Sequence, residues 1–346
     1  VAQTLFDHKI KIHTMKKYIF LIPMIAFFLT SCSKEVDKIS STPKLTLTLS
    51  PPPFSVPAGT KFSADVSFNQ YPNSTFDIFM PSSGKPTALA IFIHGGGFVG
   101  GDKSSIYSQG QDDIKSYLDH SIAFATINYR FKNENPDSNI LISLADIKRC
   151  IQFIRYHASS FNIDKEKIAC YGGSAGGGAS IYLAFHPDMA DPGNIDPIMK
   201  ESTRIIAAGH LTSQCTYDPI RMEAMYAESG IDLFAIPGIE QSVLADFRAD
   251  SISQFYTDPR LVALRHELEM LGWMTPDDPE FFVSNENPAA PPSDRRTALH
   301  HPLQGKALDN KATEIGLAHV THIPSLNLLA PNHETISQFM IRKLSE

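Results

Sequence analysis

Lys167-Ile168-Ala169-Cys170-Tyr171-Gly172-Gly173-Ser174-Ala175-Gly176 reads as an apolar strand that runs into a tight turn with a serine at its tip and then into a helix. Glycines two residues either side of Ser174 let a strand and a helix pack closely enough to push the hydroxyl outward. A serine held this way attacks carbonyl carbon once a base stands beside it. The G-x-S-x-G spacing alone is a weak signal, but it has company upstream. Ala88 to Ile93 is continuously apolar, as in a strand covered on both faces, and it ends in His94-Gly95-Gly96-Gly97. Main-chain N–H groups at such a strand end can stabilise an oxyanion, with Gly95 and Gly96 as donors and Ala175, after the serine, as the third.

Working outward, strands alternate with helices. Thr60 to Ser67 and Ser74 to Met80 alternate polar and apolar residues, as antiparallel edge strands do, and Ile122 to Arg130 reads as a further buried strand. Leu144, Ile147, Ile151 and Ile154 form the core stripe of a helix from about 139 to 157. Arg204 to Gly209, Phe281 to Ser284 and His319 to Ile323 read as the last strands, and a helix from about 334 to 344 closes the chain. This order implies an α/β fold with a mainly parallel sheet and right-handed crossovers. Residues 216–278 interrupt the alternation with short helical patches and scattered aromatics, and are expected to form a small subdomain or a cap over the serine.

His94 to Gly101, Asn128-Tyr129-Arg130, Asn162-Ile163-Asp164 and Tyr171 to Gly177 together resemble the α/β-hydrolase fold, and within it the hormone-sensitive-lipase-like carboxylesterases. The likeness is specific from about 76 to 187 and loose from 279 onward. Where that group often has an acid before the serine, this chain has Gly173. The resemblance implies a triad in the order serine, acid, histidine, with the acid after the seventh strand and the histidine after the eighth. His333, in the loop after the last strand, is then the expected general base, and Asp294 the expected acid, with Glu286 as its rival. The expected reaction is hydrolysis of a carboxylic ester through an acyl-enzyme on Ser174, with no cofactor. Within the same chemistry stand a lipase, a carbohydrate esterase that removes acetyl or feruloyl groups, and a serine peptidase. Outside it stands a binding module that has lost catalysis. His300-His301 could suggest a metal, but no carboxylate or cysteine stands at ligand spacing beside the pair, so none is expected.

The 346 residues are 42% hydrophobic and 19% charged, as suits a globular domain with a sizeable core, and a net charge of −7 argues against a nucleic-acid partner. A small-molecule or saccharide ester is the expected substrate. Met15-Lys16-Lys17 and the apolar stretch from Tyr18 to Leu29 read as a secretory signal, preceded by residues upstream of the true start. Leu29-Thr30-Ser31-Cys32 resembles a bacterial lipobox, which implies lipidation of Cys32, a linker over 33–57 and an enzyme domain over 58–346 held at a membrane of the cell envelope. Cys150, Cys170 and Cys215 are expected to pack as small apolar residues rather than to pair.

Overall fold

The computed structural model describes residues 44–134 and 139–346. The signal and Cys32 lie outside the described residues. Eight strands form one sheet: β1 (Lys61–Ser67), β2 (Thr75–Met80), β3 (Thr87–Ile93), β4 (Ala123–Ile127), β5 (Ile163–Gly173), β6 (Ala207–Leu211), β7 (Glu280–Ser284) and β8 (His319–His322). Their spatial order is β1-β2-β4-β3-β5-β6-β7-β8. β2 pairs antiparallel with both β1 and β4, and all the remaining neighbours are parallel. This is the architecture expected from the alternation of elements, and it carries the cap-like insertion.

Alternation along the central strands divides the core into two layers. Leu89, Ile91, Ile93, Ile168 and Cys170 face the helices Ile140–Tyr156, Ala175–Phe185 and Pro302–Ile315. Ala88, Ala90, Ala169 and Tyr171 face the helices Gln111–Asp119 and Ile336–Ser345. Both faces are covered, which is why β3 and the stretch Ile168 to Tyr171 of β5 read as unbroken apolar runs. Cys150, Cys170 and Cys215 are buried with free thiols.

Residues 44–57 depart from their reading as part of a linker. Phe54 packs against Phe79 and Tyr107, with ring centroids 5.5 and 5.8 Å apart, and Leu45 N–H donates to Ser160 Oγ at 3.0 Å. Leu45, Leu47, Phe54 and Val56 lie among prolines, serines and threonines, a composition that conceals how much apolar surface the stretch places on the domain.

The insertion folds into helices at Pro219–Ala227, Ile239–Phe247, Gln254–Thr257, Pro259–Leu268 and Met270–Trp273. It has a small core of its own, with Met222, Tyr226, Leu233, Ile236 and Ile239 packed on Ala298. It is fastened to the sheet domain as well. Lys132 pairs with Asp246 at 2.7 Å and Tyr217 OH donates to the Ala175 carbonyl at 3.0 Å, while within the insertion Arg265 grips Asp218 through two bonds of 2.7 and 3.1 Å. A side chain at Gly178 would collide with the Tyr217 ring, so that glycine makes room for the cap to dock on the helix behind the serine. Among the described residues no helix is long and apolar enough to cross a membrane.

Candidate active site

Ser174 ends β5 and starts the helix Ala175–Phe185 with φ 51° and ψ −125°, a left-handed backbone that costs energy for any residue with a side chain. The adjoining strand end holds it there. Ser174 N–H donates to Leu211 O at 3.0 Å, and the Ser213 hydroxyl donates to Ser174 O through a short bond. Ser213 is fully buried and its Cβ reaches this position because residue 177 is glycine. Both peptides that flank the nucleophile are therefore clamped from β6 and the turn after it.

The expected oxyanion donors are aimed by the same means. In a planar trans peptide the C=O and the next N–H point opposite ways. Tyr129 OH donates to His94 O at 2.8 Å, which turns the Gly95 N–H the other way, and His94 Nδ1 donates to Gly95 O at 2.7 Å, which does the same for the Gly96 N–H. Ser213, holding Ser174 O, fixes the Ala175 N–H in turn. Close approach is possible because Gly95 has no side chain: a Cβ there would lie 2.9 Å from Gly173 O and 3.3 Å from Ser174 Cβ. The far end of this loop is tied down at Asp102, which accepts from Ser104 N–H at 2.8 Å and Asn128 Nδ2 at 2.9 Å.

The partner of the serine is His300, whose Nε2 lies 2.8 Å from Ser174 Oγ. Its Nδ1 lies 3.0 Å from the main-chain carbonyl of Arg296. A carbonyl can only accept, so Nδ1 carries the proton and Nε2 is free to take one from the serine. The ring is anchored through its own segment: Tyr226 OH donates to Ala298 O, Gln214 Nε2 to Leu299 O at 2.8 Å, and Asn285 and Asn287 to His300 O at 3.0 and 2.9 Å. Burial lowers the pKa of His300 below its ordinary 6.5, the Arg296 carbonyl works against this, and the Arg296 and Arg295 guanidinia lower it further.

The geometry brings His300, and not the expected base His333, to Ser174. His333 sits exposed on a short turn after β8, the strand three places from β5. At about 4.8 Å per strand this is roughly 14 Å of sheet to cross. The chain after β8 is instead drawn back on itself, with Ile323 bridged to Leu328 and Ala330 N–H donating to His322 Nδ1 at 3.3 Å. The segment after β7 starts one strand nearer and reaches Ser174. Neither expected acid meets the base. Asp294 is the exposed N-cap of the helix Arg295–Leu299, accepting from Thr297 N–H at 2.8 Å, and Glu286 pairs with His322 at 3.4 Å. His301, adjacent to the base in sequence, points elsewhere, with Nε2 3.0 Å from Ala290 O. Its signal was the position of His300-His301-Pro302 just before a helix and after β7, a pair weighed only as metal ligands.

Two cavities meet at Ser174, Arg296 and His300. One, of about 410 Å³, lies under the cap and is mostly apolar, lined by Phe98, Met222, Leu233, Val243 and Phe247. The other, of about 790 Å³, is more open and carries Thr212, Asn287, Ser293, Asp294 and Thr297 on its walls.

The BD-FAE family model matches residues 76–208, the segment from β2 to β6 that contains both glycine loops. Among solved structures the chain is similar to a truncated carbohydrate esterase from gut microbiota, at 14% identity and TM-score 0.58 over 82% of this chain and 96% of that one. It is also similar to a bifunctional GH43-CE protein of Bacteroides eggerthii, at 17% identity and TM-score 0.57, covering 82% of this chain and 38% of that one. An acetyl ester-xyloside bifunctional hydrolase of Caldicellulosiruptor lactoaceticus follows at 18% identity and TM-score 0.51, over 74% and 78% of the two chains. No curated protein sequence matches. The chain has the α/β-hydrolase fold and is a serine hydrolase acting on ester bonds. The family model covers residues 76–208 only, and none of these likenesses selects the hormone-sensitive-lipase-like group that the motifs resemble.

Proposed function

We propose that the protein is a carbohydrate esterase that removes an acyl group from a saccharide hydroxyl, with Ser174 as nucleophile and His300 as general base. Ser174 Oγ attacks the acyl carbon as Nε2 of His300 takes its proton, and the N–H groups of Gly95, Gly96 and Ala175 receive the oxyanion. The proton on Nε2 then passes to the departing sugar oxygen. Water, deprotonated by the same nitrogen, releases the acid from the serine. Through both steps Nδ1–H stays on Arg296 O, so a neutral carbonyl stands where a carboxylate would orient the ring in a full triad.

The observation that carries this reading is the meeting of two unlike cavities at one serine. The apolar cavity under the cap suits an acyl group, and its volume is in the range of small-molecule pockets. The more open cleft, where Thr212, Asn287, Ser293 and Thr297 stand among apolar residues such as Phe92, Leu211 and Pro288, suits a sugar ring with its hydroxyls. The likeness to a carbohydrate esterase from gut microbiota supports it. The test compares release of acetate and ferulate from acylated xylo-oligosaccharides with hydrolysis of p-nitrophenyl esters, alongside fluorophosphonate labelling of Ser174. Acyl release from the saccharides and a Ser174 adduct are expected. Turnover confined to simple aryl or lipid esters would overturn the carbohydrate reading.

The pH profile follows from His300. The base works only when neutral, and its pKa is held below 6.5, so the rising limb of kcat/KM is expected to have its midpoint below pH 6.5. A midpoint at or above pH 7 would point to a carboxylate partner for the imidazole.

We read Leu29 to Cys32 as a lipobox that tethers the enzyme to a bacterial envelope, on the sequence alone. Cys32→Ser is expected to move the enzyme from the membrane to the soluble fraction of cells, and an unchanged membrane fraction would count against the anchor.

A further inference from the structure

Arg296 lines both cavities, and Arg295 lines the apolar one beside it. Both side chains are exposed, and among the described residues neither guanidinium has an ion-pair or hydrogen-bond partner. The carboxylates near them are already engaged. Asp246, in the apolar cavity, is paired with Lys132 at 2.7 Å. Asp294, in the polar cleft, accepts from the Thr297 N–H at 2.8 Å and from its hydroxyl at 2.9 Å. Counting Lys132, Arg295 and Arg296 against Asp246 and Asp294, the two cavities hold three cations and two anions. The chain as a whole carries −7. At physiological salt, fields fade over about 8 Å, so what a bound substrate meets is the local excess of positive charge rather than the overall charge.

We infer that the saccharide carries a carboxylate: the alcohol half of the substrate is an O-acylated uronic acid, held in the polar cleft by the guanidinium of Arg296. This rests on the carbohydrate-esterase reading and names its substrate class. The placement follows from the two cavities. Arg296 alone of the two arginines reaches the polar side, where Thr212, Asn287 and Ser293 supply partners for sugar hydroxyls. A planar guanidinium matches a carboxylate with two parallel hydrogen bonds, a match that a neutral sugar does not offer and that Asp294, which feels the Arg296 guanidinium only through its charge, does not make. On the acyl side Lys132 is paired with Asp246, so Arg295 and the shared Arg296 are the cations there without an ion pair among the described residues, and the rest of the wall is mostly apolar.

The test uses two esters that differ only at C6: methyl 3-O-acetyl-glucuronoside and methyl 3-O-acetyl-glucoside. The kcat/KM ratio of the first to the second is expected to be about tenfold, the size of one charge-assisted hydrogen-bonded contact near the surface. It should shrink as sodium chloride is added, fall toward one in Arg296→Gln and return in part in Arg296→Lys. Reading the ratio cancels any general loss caused by change near His300. A ratio near one in the wild type, or a ratio that survives Arg296→Gln, would overturn the inference. So would a charge preference seen with an aryl hemisuccinate but not with the glucuronoside, because the carboxylate would then sit on the acyl side. Binding to Ser174→Ala, followed by NMR shift changes with methyl glucuronoside and methyl glucoside, reads the same selection without chemistry. Tighter glucuronoside binding by inactive protein supports the anion site even where acyl release fails and the catalytic reading falls. Equal binding of the two sugars overturns it.

Discussion

Alanine in place of His300 is expected to lower kcat/KM for an ester by about ten-thousand-fold, the loss that follows removal of a general base from a serine hydrolase. His333→Ala should leave it within about twofold, since surface substitutions away from working features seldom exceed about 0.5 kcal/mol. The contrast comes from geometry: His300 Nε2 stands 2.8 Å from Ser174 Oγ, while His333 is exposed on a turn beyond β8. Asp294→Asn and Glu286→Gln should resemble His333→Ala. Asp294 caps a helix and Glu286 meets His322, so neither carboxylate stabilises the imidazolium that forms at His300. Steady-state kinetics on all four variants, with circular dichroism to establish that each is folded, decides the matter. A full loss in His333→Ala with His300→Ala active would place the base after β8 and require that loop to swing across the strand ends.

Gly176→Ala is expected to destabilise the fold by about 3 kcal/mol or more and to abolish turnover in whatever folds. A Cβ at this position would lie 1.9 Å from Ile93 O, 2.6 Å from Ile93 C and 2.9 Å from His94 O. These are main-chain atoms at the end of β3, and they cannot retreat without carrying the oxyanion loop with them. Gly172 faces the same carbonyl, with a Cβ 2.2 Å from Ile93 O. The helix behind the serine, at Gly176, and β5, at Gly172, therefore both meet the end of β3 through bare backbone, and these contacts set how far Ser174 is pushed out. Gly84 is the control. A Cβ there meets nothing within 4 Å, so Gly84→Ala should be neutral or gain a few tenths of a kcal/mol, about the effect of a less flexible unfolded chain. Urea unfolding midpoints of the two variants test the pair. A midpoint for Gly176→Ala close to wild type would mean that the strand and helix are less closely packed than these distances require.

The site was legible in part, and the division follows the range of the interactions. Local backbone chemistry wrote the serine turn and the His94 to Gly97 loop into the sequence, because only glycine permits the approach of strand, helix and oxyanion loop found there. The tethers that aim the three N–H groups were not legible. Ser213 acts on Ser174 from the turn after β6, and Tyr129 acts on His94 from the end of β4, pairs separated by 39 and 35 residues and joined only when the strands align. The cap was visible as a break in alternation, yet its second role was hidden: Tyr226 holds the Ala298 carbonyl in the segment that carries His300, as Gln214 from the turn after β6 holds that of Leu299.

By itself, the sequence determined the α/β-hydrolase architecture and the placing of Ser174 and the His94 to Gly97 loop at adjoining strand ends, since each depends on residue pattern within one strand and the turn that follows it. Tertiary structure decided which of thirteen histidines faces the serine. That choice depends on how far each post-strand segment reaches across the sheet edge. After β8 the chain is bridged back on itself at Ile323 and Leu328, and after β7 the helix Arg295–Leu299 is drawn inward by packing of Ala298 into the cap. Position along the chain fixes neither distance.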